Sequence, residues 1–242
     1  MKLALIGYGA MGKLIRRVAE EKGHEIAVVI DEGDADLAAA ELAEKLRGAQ
    51  VAIDFTTAEA VRRNVEACVV AGVPIVEGTT GWNDRREEIE RYVKDNNGAM
   101  VFGANFSIGV NLFYRIAEHA AELFAKFPEY EAFIEEQHHS RKIDSPSGTA
   151  LKLRDVVDAK LSAARADRSV GTPIAATRAG NIPGTHRIGF DGVADQILLE
   201  HTARSREGFA AGSLLAAEWI VGKTGFYEFT DVMDEICQNR ER

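Results

Sequence analysis

Residues 2–31 read KLALIGYGAMGKLIRRVAEEKGHEIAVVID, and this stretch decides which type of fold the sequence predicts. Lys2 to Ile6 is a short apolar run typical of a buried strand, and Leu14 to Lys22 has the spacing of an amphipathic helix. Glu25 to Ile30 is again rich in Val and Ile, and Asp31 follows it. The stretch therefore predicts a strand, a glycine-rich turn, a helix, a second strand and an acid.

The turn has the pattern G-x-G-x-x-G, and Asp31 lies 19 positions after its last glycine. In dinucleotide-binding proteins the first glycine permits the tight turn, the second lets the pyrophosphate approach, and the third lets helix and strand pack closely. The helix N-terminus offers free N–H groups to phosphates, and the acid accepts hydrogen bonds from ribose hydroxyls. A purely structural turn is the alternative. The predicted cofactor contacts here are Gly7, Tyr8, Gly9, Ala10, Met11, Gly12 and Asp31.

Strands and helices continue to alternate up to about residue 106, which predicts a Rossmann-type, doubly wound parallel sheet. We expect helices at 37–46, 58–71 and 84–96, and strands at 51–55, 74–76 and 99–102. In such sheets ligands bind beyond the carboxyl ends of the strands. Small and hydroxyl residues follow these strands and suit a cofactor groove. The contacts that they add are Gly78, Thr79, Thr80, Gly103, Ala104, Asn105 and Phe106.

The residues after the second strand bear on the choice of cofactor. A 2′-phosphate would be repelled by Asp31, and the segment from Glu32 to Asp36 adds three acids and no Lys or Arg. Because like charges repel, this segment favours NADH. NADPH is the alternative, since a basic side chain arriving from elsewhere in the fold would reverse the preference.

The second half of the chain predicts an α+β domain. We expect helices at 110–127, 147–163 and 210–221, and strands from 130 and at 173–178, 185–190 and 196–202. The segment from Ala164 to Gly171 is expected to be disordered, and the tail from Phe226 has no assigned element.

One stretch of this half, Glu135 to Leu153, reads EEQHHSRKIDSPSGTALKL. The turn Ser147-Gly148-Thr149 would present backbone N–H groups to a carboxylate at a helix start. Histidine titrates near neutral pH and is the usual proton donor, while the adjacent Arg and Lys add positive charge. The pattern predicts a site that binds and protonates an anion.

The same residues also have structural explanations. Neighbouring histidines on a strand point to opposite faces, so one of them can be a packing residue. An Arg-Lys pair is usually solvated, and a Ser before a helix is usually a cap. No metal is predicted, because no third ligand has suitable spacing and the neighbouring cations oppose an ion.

Composition limits the classes of function. The 242 residues carry a net charge of −9, which argues against a nucleic-acid partner. No apolar run approaches the ~20 residues that span a bilayer, so no membrane association is expected. Cys68 and Cys237 are too few for a disulfide framework, and a cytoplasmic location is expected.

The segment from His138 to Ala150, HHSRKIDSPSGTA, resembles the signature H-H-x-x-K-x-D-x-P-S-G-T-A of the 4-hydroxy-tetrahydrodipicolinate (dihydrodipicolinate) reductase family. These are nicotinamide-dependent enzymes of bacterial diaminopimelate and lysine synthesis. The glycine turn is one residue shorter than the G-x-G-G-R-M-G form of some members and lacks its arginine. The other segments that match in order are 7–12, 54–56, 78–81, 105–109 and 178–180.

The resemblance implies an activity and a division of roles. A hydride from NADH or NADPH would reduce a cyclic dicarboxylic imine to tetrahydrodipicolinate. His138 would be the catalytic proton donor and Lys142 the second proton donor. The groups that would hold the dicarboxylate are His139, Ser147, Gly148 and Thr149.

The resemblance also implies an organisation. It comprises a dinucleotide-binding domain (1–106), a substrate-binding and tetramerisation domain (107–206), and a C-terminal segment (207–242) that returns to the first domain, in a homotetramer. The alternatives are another amino-acid-pathway NAD(P)-dependent dehydrogenase, which would not need the signature, and a non-catalytic NADH-sensing protein, which would leave the His/Lys cluster unused.

Overall fold

The computed structural model describes residues 1–164 and 171–238, and the chain divides into two compact units. Unit 1 comprises Met1–Ile108 and the described part of Arg206–Arg242, and unit 2 the described part of Gly109–Ser205. Within the stretch expected to be disordered, residues 165–170 lie outside the described residues. The helices and strands, in chain order, are β1 (Lys2–Ile6), α1 (Ala10–Glu21), β2 (Glu25–Ile30), α2 (Ala39–Leu46), β3 (Val51–Asp54), α3 (Ala58–Ala71), β4 (Ile75–Glu77), α4 (Arg86–Asp95), β5 (Ala99–Phe102), α5 (Ile108–Phe124), β6 (Glu131–His138), α6 (Gly148–Ala164), β7 (Ile174–Arg178), β8 (Thr185–Asp191), β9 (Gln196–Thr202), α7 (Glu207–Ile220), β10 (Gly225–Glu228) and α8 (Phe229–Gln238).

Unit 1 is built on a parallel sheet with the strand order β10-β5-β4-β3-β1-β2. Alternate residues of β1 point to opposite faces of this sheet. Leu3 and Leu5 are buried beneath α1, α7 and α8. Ala4 and Ile6 are buried beneath α2, α3 and α4. Helices on both faces and a strand order that reverses beside β1 confirm the predicted doubly wound sheet.

The end of the chain completes this sheet. β10 pairs in parallel with the edge of β5, and Phe229 of α8 is 1% exposed, with its ring 4.7 Å from that of Phe106. The sequence pattern assigned no element after Phe226. The equally short β3 and β5 are fully buried, whereas β10 is an edge strand whose four residues are only partly buried, so its sequence has a weaker apolar signal.

Unit 2 contains a mixed sheet in the order β7-β6-β8-β9, in which β6 is parallel to β7 and antiparallel to β8. Ala132 and Ile134 of β6 pack with Phe190 of β8 against α5 and α6, which confirms the α+β class. Glu136 and His138 follow at the same spacing of two residues. Both side chains therefore lie on the helix-covered face of the sheet.

The predicted boundaries differ from the observed ones by a few residues. The helix predicted at 110–127 covers Ile108–Phe124, and it ends before Pro128, whose ring disfavours helix in the residue that precedes it. The helix predicted from 210 begins at Glu207. No helix within the described residues is both long enough and apolar enough to cross a membrane.

Candidate active site

The glycine turn leaves the start of α1 open. Gly7 has a φ of +88°, and a Cβ there would lie 2.4 Å from the carbonyl oxygen of Phe55. A Cβ at Gly12 would lie 2.1 Å from the carbonyl oxygen of Gly7, whereas one at Gly9 would meet nothing within 4 Å. Gly9 is the N-cap residue of α1, and no side chain caps this helix. The first and third glycines thus serve the turn and the packing, and the second leaves room beside free N–H groups.

A pocket of about 380 Å³ adjoins this turn at the carboxyl ends of β3 and β4. Thr79 Oγ1 accepts a hydrogen bond from the backbone N–H of Thr56 at 2.9 Å and thereby links the two loops that follow these strands. The residues that line the pocket are Gly9, Ala10, Met11, Phe55, Thr56, Thr57, Ala58, Gly78, Thr79 and Thr80. The structure therefore brings together the predicted contacts from the glycine turn and from the loop after β4.

The predicted contacts Gly103 to Phe106 do not line this pocket. Phe106 is 2% exposed, and its ring packs against those of Phe55 and Phe229. The Asn105 side chain accepts a hydrogen bond from the backbone N–H of Ser107 at 2.9 Å. The Phe106 side chain thus belongs to the core of unit 1.

Basic side chains reach the segment that follows Asp31. Lys45 of α2 forms an ion pair with Asp34. Arg63 of α3 donates to the carbonyl oxygens of Asp34, at 3.4 Å, and of Ala35. The Lys45 ammonium also lowers the pKa of Asp34. The segment itself holds no Lys or Arg, and both cations come from helices that lie later in the chain, which is the circumstance under which NADPH was the alternative.

Two buried carboxyl groups immediately precede the loops of the pocket. Asp54 and Glu77 end neighbouring strands in register, and both are 0% exposed. Asn64 donates to Asp54 Oδ2 at 2.7 Å, and the backbone N–H of Thr79 donates to Glu77 Oε1 at 2.8 Å. Burial raises the pKa of both carboxyl groups, and the neighbouring Asp54 raises that of Glu77 further. Sequence reasoning did not single out this pair, since only strand pairing brings the two residues together.

In unit 2, strand register assembles a cluster of charged and titratable groups. His138 pairs with Arg178 of β7, and Glu136 pairs with His186 of β8. Glu136 Oε1 accepts hydrogen bonds from Arg178 at 2.7 Å and from the backbone N–H of Ser147 at 2.9 Å. Glu136 Oε2 lies 3.1 Å from His138 Nδ1. Sequence reasoning assigned no role to Glu136 or His186, although alternation along a strand would have placed Glu136 on the face of His138.

The two histidines of this cluster are easier to deprotonate than free histidine. Burial lowers the pKa of His138, and Glu136 opposes that effect. Burial also lowers the pKa of His186 to about 4, with the charge of His138 adding to the shift. His186 is therefore neutral near pH 7, whereas the protonation of His138 depends on the charges around it.

Lys142 lies in the loop that follows β6. Its Nζ is 2.7 Å from Asp144 Oδ1, and this hydrogen bond lowers the pKa of the Asp144 carboxyl. Its backbone N–H donates to the carbonyl oxygen of His139 at 3.1 Å. His139 Nδ1 is shielded from solvent and has no hydrogen-bond partner among the described residues. The loop therefore holds two cations, Arg141 and Lys142, and one imidazole nitrogen without a hydrogen-bond partner among the described residues.

The turn at the start of α6 contains both buried and solvent-exposed residues. Ser147 is 2% exposed, and its Oγ lies 3.1 Å from His186 Nε2. Gly148 is exposed, and a Cβ there would meet nothing within 4 Å. Thr149 is hydrogen-bonded to Tyr114, whose pKa burial raises to about 12. Of the predicted substrate-binding turn, Gly148 and Thr149 are thus more accessible than Ser147.

Three possible metal ligands, on Glu136, His138 and His186, have donor atoms within 4.8 Å of one another. The sequence showed no third ligand because His186 lies on a different strand. Arg178 occupies Glu136 Oε1, and Lys142 lowers the pKa of His138 through its charge. These cations would repel a metal ion, so the arrangement favours a network of ion pairs and hydrogen bonds.

Two family models match the chain. The model described as "Dihydrodipicolinate reductase, N-terminus" matches residues 1–106, and the model described as "Dihydrodipicolinate reductase, C-terminus" matches residues 109–233.

Two curated relatives carry the name 4-hydroxy-tetrahydrodipicolinate reductase. The relative from Christiangramia forsetii is 36% identical over 246 residues, which cover 99% of this chain and 100% of the relative. The relative from Archaeoglobus fulgidus is 37% identical over 263 residues, covering 97% and 100% of the two chains.

Solved structures show the same fold. Dipicolinate-bound dihydrodipicolinate reductase from Paenisporosarcina sp. TG-14 superposes with a TM-score of 0.77 at 22% identity and covers 94% of this chain and 97% of that chain. A probable dehydrogenase from Thermotoga maritima superposes with a TM-score of 0.58 at 10% identity, covering 97% and 93%.

Proposed function

Because the chain belongs to the dihydrodipicolinate reductase family, we infer that it reduces 4-hydroxy-tetrahydrodipicolinate to tetrahydrodipicolinate with a nicotinamide cofactor, in the synthesis of diaminopimelate and lysine. The cluster of side chains at the end of β6 supports the catalytic roles that we propose for individual residues. In this cluster, His138 and Lys142 lie beside the open turn at the start of α6.

The glycine turn fits the pyrophosphate of a nicotinamide dinucleotide. The space beside Gly9 lets a phosphate approach the backbone, and the uncapped N–H groups of α1 would bind it. The loops containing Thr56 and Thr79 extend this surface. When bound, the cofactor supplies the hydride. The residues that we propose as cofactor contacts are Gly7 to Gly12, Asp31, Gly78 to Thr80 and Gly103 to Phe106. Phe106 would contribute only its backbone, because its side chain lies in the core.

We propose that NADH is preferred to NADPH. The Asp31 carboxylate would hydrogen-bond an unmodified ribose and would repel a 2′-phosphate. Lys45 and Arg63 reach this segment, but Asp34 engages the first, and backbone carbonyls engage the second. Neither cation is therefore released to a phosphate without loss of its present contacts.

We propose His138 and Lys142 as the proton donors. The His138 side chain is 12% exposed and adjoins a buried carboxylate, which stabilises its protonated form against desolvation. Lys142 Nζ donates to Asp144 Oδ1 at 2.7 Å, and this contact orients the amino group. Both lie near the end of one strand, where they can deliver a proton to a bound anion.

The substrate's carboxylates are proposed to bind beside these donors. A substrate carboxylate at the start of α6 would compete with Asp144 for the N–H group of Gly148. His139 Nδ1 has no hydrogen-bond partner among the described residues. The N–H and Oγ of Ser147 already contact Glu136 and His186, so Ser147 would shape the turn from the inside.

The test is nicotinamide oxidation followed by absorbance, with substrate generated from aspartate semialdehyde and pyruvate by a coupling synthase. We expect substrate-dependent oxidation with a higher kcat/KM for NADH than for NADPH. His138→Gln should lower kcat roughly 10²-fold, because a general acid contributes about that factor or more. Its affinity for NADH should remain near that of the native chain. His119→Gln is the control, since that side chain is 71% exposed on α5.

Each other outcome has a distinct meaning. A full rate in His138→Gln would remove this residue from proton transfer. Faster turnover with NADPH would contradict the cofactor preference and leave the reaction intact. NADH binding without oxidation would favour a sensing protein.

We also propose that copies of the chain assemble into a homotetramer through the face of the unit 2 sheet opposite α5 and α6. On that face the Phe133 ring lies over Gly189, beside Leu198, which is 51% exposed. The three residues form an apolar strip across β6, β8 and β9. Arg187, Glu135 and Glu200 flank the strip and provide polar contacts at its rim.

A further inference from the structure

Glu136 carries a carboxylate that is buried away from water. Its side chain is 0% exposed on the helix-covered face of β6, where an unpaired carboxylate would be strongly destabilising. Burial by itself would raise its pKa, but the hydrogen bonds from Ser147 and Arg178 outweigh burial, and the pKa is lowered. The carboxylate is therefore ionised at neutral pH.

The two oxygens of Glu136 have different partners. Oε1 accepts from Arg178 Nη2 and from the Ser147 backbone, which fixes the carboxylate between β7 and the start of α6. Oε2 faces His138 Nδ1 at 3.1 Å and His186 Nε2 at 3.6 Å. Neither Oε2 nor His138 Nδ1 has a hydrogen-bond partner within the described part of the chain, and the 3.1 Å contact between them is a charge contact that a small rotation of the ring would turn into a hydrogen bond. The His138 nitrogen is thus the nearest group that can satisfy this oxygen.

This contact favours one ring nitrogen of His138 over the other for proton transfer to a substrate. A carboxylate beside Nδ1 favours a proton on Nδ1, so that Nε2 is the atom that exchanges its proton with a substrate. A Cβ built on Gly184 would lie 3.3 Å from His138 Nε2 and Cδ2, so a glycine there keeps the Nε2 edge of the ring uncrowded.

The charges around the His138 ring have opposite effects on its pKa. Glu136 and Asp144 favour the imidazolium, whereas Lys142 and Arg178 disfavour it, as burial does. His186, which packs edge-on at 5.0 Å between ring centroids, is neutral near pH 7. Of the two acids, Glu136 has the larger effect on the pKa of His138, and its Oε2 lies 3.1 Å from the ring.

We propose that Glu136 is a positioning residue for the reduction: it holds the His138 ring with Nδ1 protonated, so that Nε2 presents the proton to the substrate. This rests on the proposed role of His138 as proton donor. Through Arg178 and Ser147 the same carboxylate also ties the donor to the turn that would bind the substrate.

The decisive variant is Glu136→Gln, compared with Glu122→Gln. Glu122 is 59% exposed on α5 and lies outside both the proposed site and the proposed assembly face. We expect kcat to fall roughly 10- to 100-fold in Glu136→Gln, the loss that follows when a carboxylate that orients a metal-bound histidine is removed. The alkaline decline of kcat should move to lower pH, since His138 loses the group that favours its charged form. Glu122→Gln should keep the native rate and pH profile.

A measurement on the native chain tests the proposal even if Glu136→Gln does not fold. Nitrogen NMR of labelled histidine, assigned with His138→Gln, should show the neutral His138 ring protonated at Nδ1. An Nε2-protonated ring would overturn the proposal, and so would a folded Glu136→Gln variant whose pH profile is native. A fully active His138→Gln variant would instead refute the proposed proton donor.

Discussion

At the scale of single residues, Gly12 and Gly9 show that two glycines of one motif have different physical functions. A Cβ at Gly12 would overlap the carbonyl of Gly7 at 2.1 Å, so this position is closed by backbone that cannot move aside. The space at Gly9 is open within this chain, and only a ligand would fill it. A glycine is therefore needed at position 12 for folding and at position 9 for binding.

Paired substitutions separate these functions. Gly12→Ala should lower the free energy of unfolding by about 1–3 kcal/mol or more, because the added methyl group overpacks α1 against the turn. Gly9→Ala should leave the free energy of unfolding nearly unchanged but weaken NADH binding by roughly 10-fold, or about 1.4 kcal/mol. Urea denaturation and calorimetric titration measure the two effects. Equal destabilisation by both substitutions would contradict this assignment.

At the scale of secondary-structure elements, β3 and β4 end in two carboxyl groups that no cation accompanies among the described residues. Asp54 Oδ1 and Glu77 Oε2 each lack a hydrogen-bond donor there, and one proton held by the pair would reduce the repulsion between them. The folded chain thus retains a proton that the unfolded chain releases.

This retention predicts how stability depends on pH. The folded pKa of Glu77 is raised, so its contribution to stability is complete below the unfolded pKa of about 4.3 and is lost as the pH rises through the folded value. Glu77→Gln removes the titration. We expect its melting temperature to fall less between pH 5 and pH 8 than that of the native chain. Glu87→Gln, an exposed substitution on α4, should keep the native slope, and an equal slope in Glu77→Gln would exclude the pair as its origin.

At the scale of the whole molecule, the unit 2 sheet leaves one face uncovered by its own helices. Leu198 lies on this face, because its partner Gly189 alternates with the buried Ile188 and Phe190. An apolar strip of this kind is stable in water when another protein surface covers it.

A charge placed on the strip should prevent assembly. We expect the native chain to have four times the mass of one chain in light scattering, and Leu198→Asp to shift it to smaller species because an aspartate would be buried without a partner. Val70→Asp is the control, since Val70 is 54% exposed on α3 of unit 1. A monomeric native chain, or an unchanged mass in Leu198→Asp, would rule out this interface.

Local patterns were sufficient for much of the fold. The apolar runs, the glycine turn and the alternation of strands and helices predicted the doubly wound sheet, and the family signature predicted the family. These features depend on backbone periodicity and on residues close together in the chain, so they can be read without coordinates. The strand β10 has no such pattern, because it is an edge strand whose residues are only partly buried, unlike the fully buried β3 and β5.

Only the tertiary structure decided which distant groups meet. Glu136 contacts Arg178 and His186 because β6 pairs with β7 and β8 in one register, and a shift of one residue would turn these side chains to the other face. Lys45 and Arg63 likewise reach the acidic segment after Asp31 through the packing of α2 and α3. The sequence by itself determined the type of fold and the residues that can carry the chemistry. The partners that set their charge were decided by strand register and helix packing, because electrostatic effects depend on distances in space rather than along the chain.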